Sequence, residues 1–308
     1  MAQSATRRAI LWLCLGVLVF SLQDIIIKTV SGSYPVHEVI VIRCVGALPI
    51  LIFLVHKSGG LRTIRSPRAA SLWIRSCLLL ISYTTYFLAF PVLPLASIVA
   101  LYATVPLFVT ALAGPVLGET ISAPRWGVVI LGFIGALIMI WPDTTVFEVA
   151  SILPIVSALA YAGAQIMARK IGLSDSAAVM SFYQNLLYLI VAGLFSVLIT
   201  FLVDTYTGHP SLEFMLRPWV APALTDFFLI VACGPIAAIG MTMLGQAYRL
   251  AEANTVAPFE YTGLLWGALW GFLLWSEVPG VNAVIGAALI VAGGMSSLSI
   301  GKYKTQLS

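Results

Sequence analysis

The chain has 308 residues, 60% of them hydrophobic and 9% charged, with a formal net charge of +4. A soluble domain typically carries about 25% charged residues, so this composition excludes a water-soluble fold and points to a polytopic membrane protein. Four cysteines, Cys14, Cys44, Cys77 and Cys233, fall inside apolar runs without metal spacing, which predicts buried thiols and no disulfide framework.

Ten apolar segments can be placed, at 9–30, 36–56, 69–90, 95–117, 126–141, 149–170, 177–203, 224–249, 251–275 and 281–300. The expected fold class is therefore an all-α integral membrane protein of ten transmembrane helices. Arg7 and Arg8 precede a run that continues to Val30 without an A-x-A cleavage site, so the first segment reads as a retained signal anchor. Only 57–68 and 204–219 are loops of real length, and neither can hold a soluble domain. With the N-terminus placed in the cytoplasm, the inner side collects Arg7, Arg8, Lys57, Arg62, Arg65, Arg68, Arg125, Arg169, Lys170, Arg249, Lys302 and Lys304. The outer side receives Lys28 and Arg217, while Arg43 and Arg75 lie within segments. This positive-inside bias predicts a multi-pass protein of a bacterial-type inner membrane with both termini cytoplasmic. It also accounts for the positive charge without a nucleic-acid partner.

An internal repeat organises the chain. A gapless shift of 158 positions pairs Ala89 with Ala247, Phe90 with Tyr248, Ser97 with Thr255, Glu119 with Glu277, Leu131 with Leu289 and Gly135 with Gly293. Earlier in each half, a shift of 141 pairs Phe20 with Tyr161, Asp24 with Gln165, Lys28 with Arg169 and Arg43 with Gln184. Residues 1–147 and 148–308 then form two five-helix repeats within one membrane domain. An odd number of spans per repeat inverts one half relative to the other, the architecture of alternating-access secondary transporters.

Two strings resemble EamA-type members of the drug/metabolite transporter superfamily: VPLFVTALAGPVLGE in the fourth segment and APFEYTGLLWGALWGFLLWSEVPG in the ninth. Each runs from a proline, Pro106 or Pro258, through small residues to an acid, Glu119 or Glu277. The family's Gly-Glu ending is matched by Gly118–Glu119, whereas the second half has Ser276 in place of the glycine. The resemblance implies transport of small metabolites, including amino acids, across the inner membrane. Export of an amino acid, with an aromatic one favoured by the deep tyrosines, is the leading expectation. Import of another planar or cationic metabolite is the alternative.

Glu260 is the foremost candidate residue. A carboxylate deep in a bilayer costs roughly 2.5–3.5 kcal/mol on insertion scales, so it needs a partner, a proton or water. On an ideal helix it shares a face with Gly263, Gly267 and Gly271, a small-residue stripe suited to close packing. It could therefore bind an amine, couple transport to protons, or simply lock two helices. Its repeat mate is Tyr102, and Tyr83, Tyr86, Tyr261 and Trp266 are further deep aromatics that could line a solute site. Gln246 adds a polar group. Asp24, Lys28 and Arg43, with Asp24 paired to Arg43, form a candidate outer gate, and Gln165, Arg169 and Gln184 its inner mate. Static helix stapling would explain the same pairs. Arg75 is expected to snorkel to the cytoplasmic surface, and Pro258 to act as a hinge.

No P-loop, G-x-S-x-G or H-E-x-x-H occurs, so the sequence predicts neither an enzyme nor a cofactor or metal site. His37, His56 and His209 fall at segment ends or in a loop, where a solvated role is expected. The partners expected are a small-molecule solute and the lipid bilayer, and both a monomer and a homodimer are compatible with the sequence. An enzyme acting on lipid-linked substrates would need clustered acids or histidines at one interface. A non-transporting scaffold would have no water-accessible cavity.

Overall fold

The computed structural model describes residues 2–30, 32–93, 95–140, 149–172, 174–202, 208, 210–275 and 281–306. Thirteen α-helices are described: α1 (Ala2–Val30), α2 (Val36–Lys57), α3 (Ala69–Leu88), α4 (Leu95–Tyr102), α5 (Val105–Leu117), α6 (Ala123–Ile140), α7 (Ile152–Ile171), α8 (Ala177–Leu202), α9 (Pro210–Leu216), α10 (Leu224–Leu250), α11 (Ala253–Val256), α12 (Thr262–Trp275) and α13 (Val281–Gln306). Among the described residues, six helical stretches are long and apolar enough to cross a membrane by length and composition, one of them, Ile98–Leu117, running across α4 and α5. α3 is as long as α7 but is not among the six. α9 places a short helix in what the sequence suggested was plain loop.

The larger departure concerns the fourth and ninth segments, which are broken and not continuous. The fourth divides into α4 and α5 around Ala103–Thr104, with Pro106 in the first turn of α5. The ninth divides into α11, a 3-10 stretch at Ala257–Tyr261 that opens on Ala257–Pro258, and α12. Pro106 and Pro258 each stand in the first turn after a break, where proline's missing N–H leaves no helical hydrogen bond unmade. At each break a threonine hydroxyl closes onto the carbonyl three residues back. Thr104 Oγ1 donates to Leu101 O at 2.8 Å, and Thr262 Oγ1 to Phe259 O at 2.7 Å. Both residues of one pair stand 158 positions from those of the other.

Helix boundaries follow the same shifts. α2 and α8 start 141 positions apart, as α1 and α7 end. α4 and α11 start 158 positions apart, α5 and α12 end so, and α6 and α13 start so. Packing is reciprocal as well: α1 lies along α10 as α7 lies along α3, and α10 packs on α2 as α3 packs on α8. α2 meets α8 and α6 meets α13. The two halves of the chain thus interleave and share one core.

At the α2–α10 crossing the backbones nearly touch. A Cβ on Gly234 would sit 2.5 Å from Ala47 N and 2.7 Å from Arg43 O, so only glycine fits there. The glycine stripe beside Glu260 behaves differently. A Cβ on Gly263 would meet Val17 at 3.3 Å, while one on Gly267 would meet nothing within 4 Å. Because Glu260 lies in the 3-10 stretch, the α-helical geometry that aligned it with those glycines does not apply. All four cysteines are free thiols, and Cys77 is exposed, contrary to the buried placement expected of it.

Candidate functional site

Span breaks in α4–α5 and α11–α12 bring Tyr102 and Glu260 to one level in the middle of the bundle. Glu260 Oε1 accepts two phenol hydrogen bonds, from Tyr161 Oη of α7 at 3.0 Å and from Tyr248 Oη of α10 at 2.9 Å. No arginine, lysine or histidine among the described residues forms an ion pair with it. The Tyr102 ring lies 5.7 Å from Tyr161 and 5.0 Å from Tyr86, whose edge it meets at 60°. Asp24 of α1 is within electrostatic reach of both Tyr86 and Tyr102. Asp24, Tyr86, Tyr102 and Glu260 are each half-buried, while Tyr161 and Tyr248 behind them are buried. Asp24, Glu260 and these tyrosines therefore form one cluster drawn from both halves of the chain. Such a cluster can offer its carboxylates to a cationic or hydrogen-bond-donating group and its rings to a flat one.

Arginines occupy the neighbouring positions. Arg43, fully buried, lies with its guanidinium 4.4 Å from the Tyr83 ring centroid and 5.6 Å from that of Tyr188. Its Nη1 donates to Gln23 Oε1 at 3.2 Å. The expected Asp24–Arg43 ion pair is therefore not formed: the guanidinium bonds instead to Gln23, one residue earlier on α1. Tyr83 belongs with Arg43 and not with Glu260, and its hydroxyl is buried without a partner. Arg75 does not snorkel, being buried beneath α7, α8 and α10.

Other sequence candidates go elsewhere. Tyr261 turns toward α6, where its hydroxyl donates to Val129 O at 2.9 Å and its ring covers Gly132. It is a packing residue with no contact to the Glu260 cluster. Trp266 shares a helix face with Gly263 and Trp270, both of which meet α1, and its Nε1 is buried without a partner. Gln246 accepts from Arg249 at the end of α10, away from the tyrosines. Gln184 donates to Tyr188 Oη at 3.3 Å, and Gln165 Oε1 is buried without a partner. The side chains of Lys28, Ser97, Trp141, His209, Trp275, Glu277, Lys302 and Lys304 lie outside the described residues.

The end of the bundle rich in arginine is tied by a clasp that joins Arg169, expected in the inner gate, to Glu119. Glu119, at the close of α5, accepts from the backbone N–H groups of Ala253 at 3.1 Å and Asn254 at 3.3 Å, and from Asn254 Nδ2 at 2.6 Å. Arg169 stands 3.5 Å from it. Arg125 pairs with Glu252 at 2.9 Å and donates to Asn254 Oδ1. Arg249 Nε donates to Gly172 O at 2.8 Å. The opposite end is tied by the α1–α2 turn, where Tyr34 Oη donates to Asp226 Oδ2 at 2.7 Å and Arg217 Nη1 to Gly32 O at 2.9 Å. The Asp226 carboxylate that accepts this hydrogen bond holds the Tyr34 phenol above its ordinary pKa. His37, expected to be solvated, is buried and bonded to Ser196 at 2.7 Å.

Residues 7–141 match the EamA-like transporter family. The chain is 29% identical over 303 residues to a riboflavin transporter of Vibrio cholerae, covering 97% of this chain and 94% of that protein. It is 27% identical over 288 residues to the pseudopaline exporter CntI of Pseudomonas aeruginosa, covering 92% and 94%. It is 25% identical over 283 residues to an S-adenosylmethionine uptake transporter of Rickettsia prowazekii, covering 92% and 89%. A solved crystal structure superposes with a TM-score of 0.76 at 16% identity, over 96% of this chain and 98% of that one, a likeness of fold. The chain is therefore a multi-pass membrane protein whose residues 7–141 match the EamA-like transporter family and which is similar along nearly its whole length to bacterial metabolite transporters.

Proposed function

We propose that this chain is a secondary transporter of a small organic metabolite. It works by alternating access between inverted five-helix repeats at residues 1–147 and 148–308, with both termini in the cytoplasm. The observation that carries this reading is Glu260. It is an intramembrane acid without a cationic partner among the described residues, held by two tyrosines at the break of the ninth span. An acid held by two phenols and paired with no cation among the described residues is available to a cationic group of a solute. The matching helix boundaries, the reciprocal packing and the paired threonine closures support the inverted repeat.

The solute's amine or other cationic group is held by Glu260, with Asp24 nearby, and its flat portion lies on Tyr86 and Tyr102. An amino acid meets those requirements, and an aromatic one meets them best. A planar or cationic metabolite meets them too, and the relatives named for riboflavin and S-adenosylmethionine favour that second reading. Those relatives include both an exporter and uptake transporters, so direction is not carried over from them. Gates form at the two ends of the bundle. Glu119, Arg169 and Gln165 belong to the cytoplasmic one, and Asp24, Lys28, Arg43 and Gln184 take part in the exchange between states.

Counterflow in proteoliposomes with a panel of amino acids, their amines and planar cations tests this. Wild type should exchange at least one class, and Glu260→Gln should reduce that exchange about tenfold or more, the loss of one charge-assisted contact. If nothing on the panel moves, the chain is not a transporter of this class. Exchange undiminished in Glu260→Gln would move the site elsewhere. A pH gradient that drives uptake in wild type but not in the variant would identify proton coupling through this residue.

A further inference from the structure

Arg75 is a buried cation that the site described above leaves unused. It is 2% exposed, and both Nε and Nη1 are buried without any hydrogen-bond partner. Its guanidinium lies by Gly245 of α10, with Nη2 3.8 Å from where a Cβ would stand. The groups in electrostatic reach of it are the phenols of Tyr161 on α7 and Tyr188 on α8. No carboxylate among the described residues is paired with it. Arginine cannot shed its proton inside a protein, and a buried unpaired charge is strongly unfavourable, so such a group calls for an anion.

Tyr161 ties this position to the acid. Its hydroxyl donates to Glu260, and the same residue is a neighbour of Arg75. Glu260 and Arg75 thus flank one tyrosine without pairing with each other. One helical turn along α7 from Tyr161, Gln165 carries a second unpartnered buried polar atom, its Oε1. The interior therefore offers separated positive and negative positions, each short of a partner.

We propose that Arg75 binds the anionic group of the transported solute, a carboxylate, while Glu260 binds its cationic group, so that the preferred substrates are zwitterions. This rests on the transport reading above. A carboxylate suits the guanidinium fork, which can donate two parallel bonds to its oxygens. A dianion such as phosphate is disfavoured by the Glu260 carboxylate on the other side of Tyr161.

The test compares solutes that differ at one group: an amino acid, its methyl ester and its decarboxylated amine. Wild type in proteoliposomes should exchange the amino acid on the order of tenfold faster than the ester or the amine. Arg75→Gln should collapse that ratio toward one, and Arg75→Lys should restore part of it. A wild type that does not discriminate, or a ratio unchanged in Arg75→Gln, overturns the proposal. The melting temperature of the purified wild-type protein gives a readout that needs neither transport nor a folded variant. The amino acid should raise it and the ester should not. Equal stabilisation by chloride alone would make Arg75 the holder of a structural counter-ion and overturn the assignment. If no solute moves at all, the transport reading fails, and the melting comparison still decides the anion position.

Discussion

Two phenols decide what Glu260 can do. Removing the hydroxyl of Tyr161 or Tyr248 takes one donor from the same carboxylate oxygen, a loss of about 1.5–3 kcal/mol for a bond to a charged acceptor. Tyr161→Phe and Tyr248→Phe should each raise the KM for a cationic solute roughly tenfold while leaving folding intact. The double variant should depart from additivity, because both bonds orient one group. Counterflow titrations of the four proteins provide the values, and unchanged KM in both single variants would remove the tyrosines from the site. A signal for these residues was present in the sequence. The repeat pairs Tyr161 with Phe20 and Tyr248 with Phe90 just as it pairs Glu260 with Tyr102. The half with an acid has hydroxyls around it, and the half with a phenol does not need them. Arg43 was harder. Gln23 and Asp24 lie at nearly the same depth, and which of them meets α2 depends on how α1 rotates against α10. The burial of Arg75 was likewise hidden. Its distance from the start of α3 allows snorkelling, and only the packing of α7, α8 and α10 closes the way out.

At the scale of the element, the broken spans were half legible. Pro106 and Pro258 mark the interruptions, yet a proline in a transmembrane run gives no hint whether the helix bends or changes type. The 3-10 stretch at Ala257–Tyr261 turns about 20° more per residue than an α-helix. That winding aims Glu260 at Tyr161 and Tyr248 and sends Tyr261 to α6, which is why a straight-helix projection put both in the wrong company. Pro258→Ala should let the stretch relax toward α-helix, recovering a backbone hydrogen bond while rotating Glu260 off its tyrosines. The expected outcome is a melting temperature equal to or above wild type, with initial transport rates lowered on the order of tenfold. Retained rates would show that the local winding is incidental to transport.

On the scale of the whole molecule, the interleaved halves make each end of the bundle a joint between the first and second halves of the chain. At the arginine-rich end, Glu119 from the first half seals the start of α11 in the second, with Arg169 beside it. Three hydrogen bonds and an ion pair on one carboxylate are a switch if the halves rock, since all of them must part together to open this end. Removing them should cost the closed state about 2 kcal/mol, a shift of roughly thirtyfold between closed and open populations. Glu119→Ala combined with a cysteine at Tyr102 tests this in membrane vesicles of both orientations. Maleimide labelling from the cytoplasmic face should accelerate, and labelling from the outer face should slow, because one barrier replaces the other in alternating access. Acceleration from both faces would describe a leak and not an exchange of states. No change from either face would make the clasp a passive staple, and the moving joint would then lie with the α1–α2 turn, where Tyr34 and Arg217 tie the two halves at the opposite end.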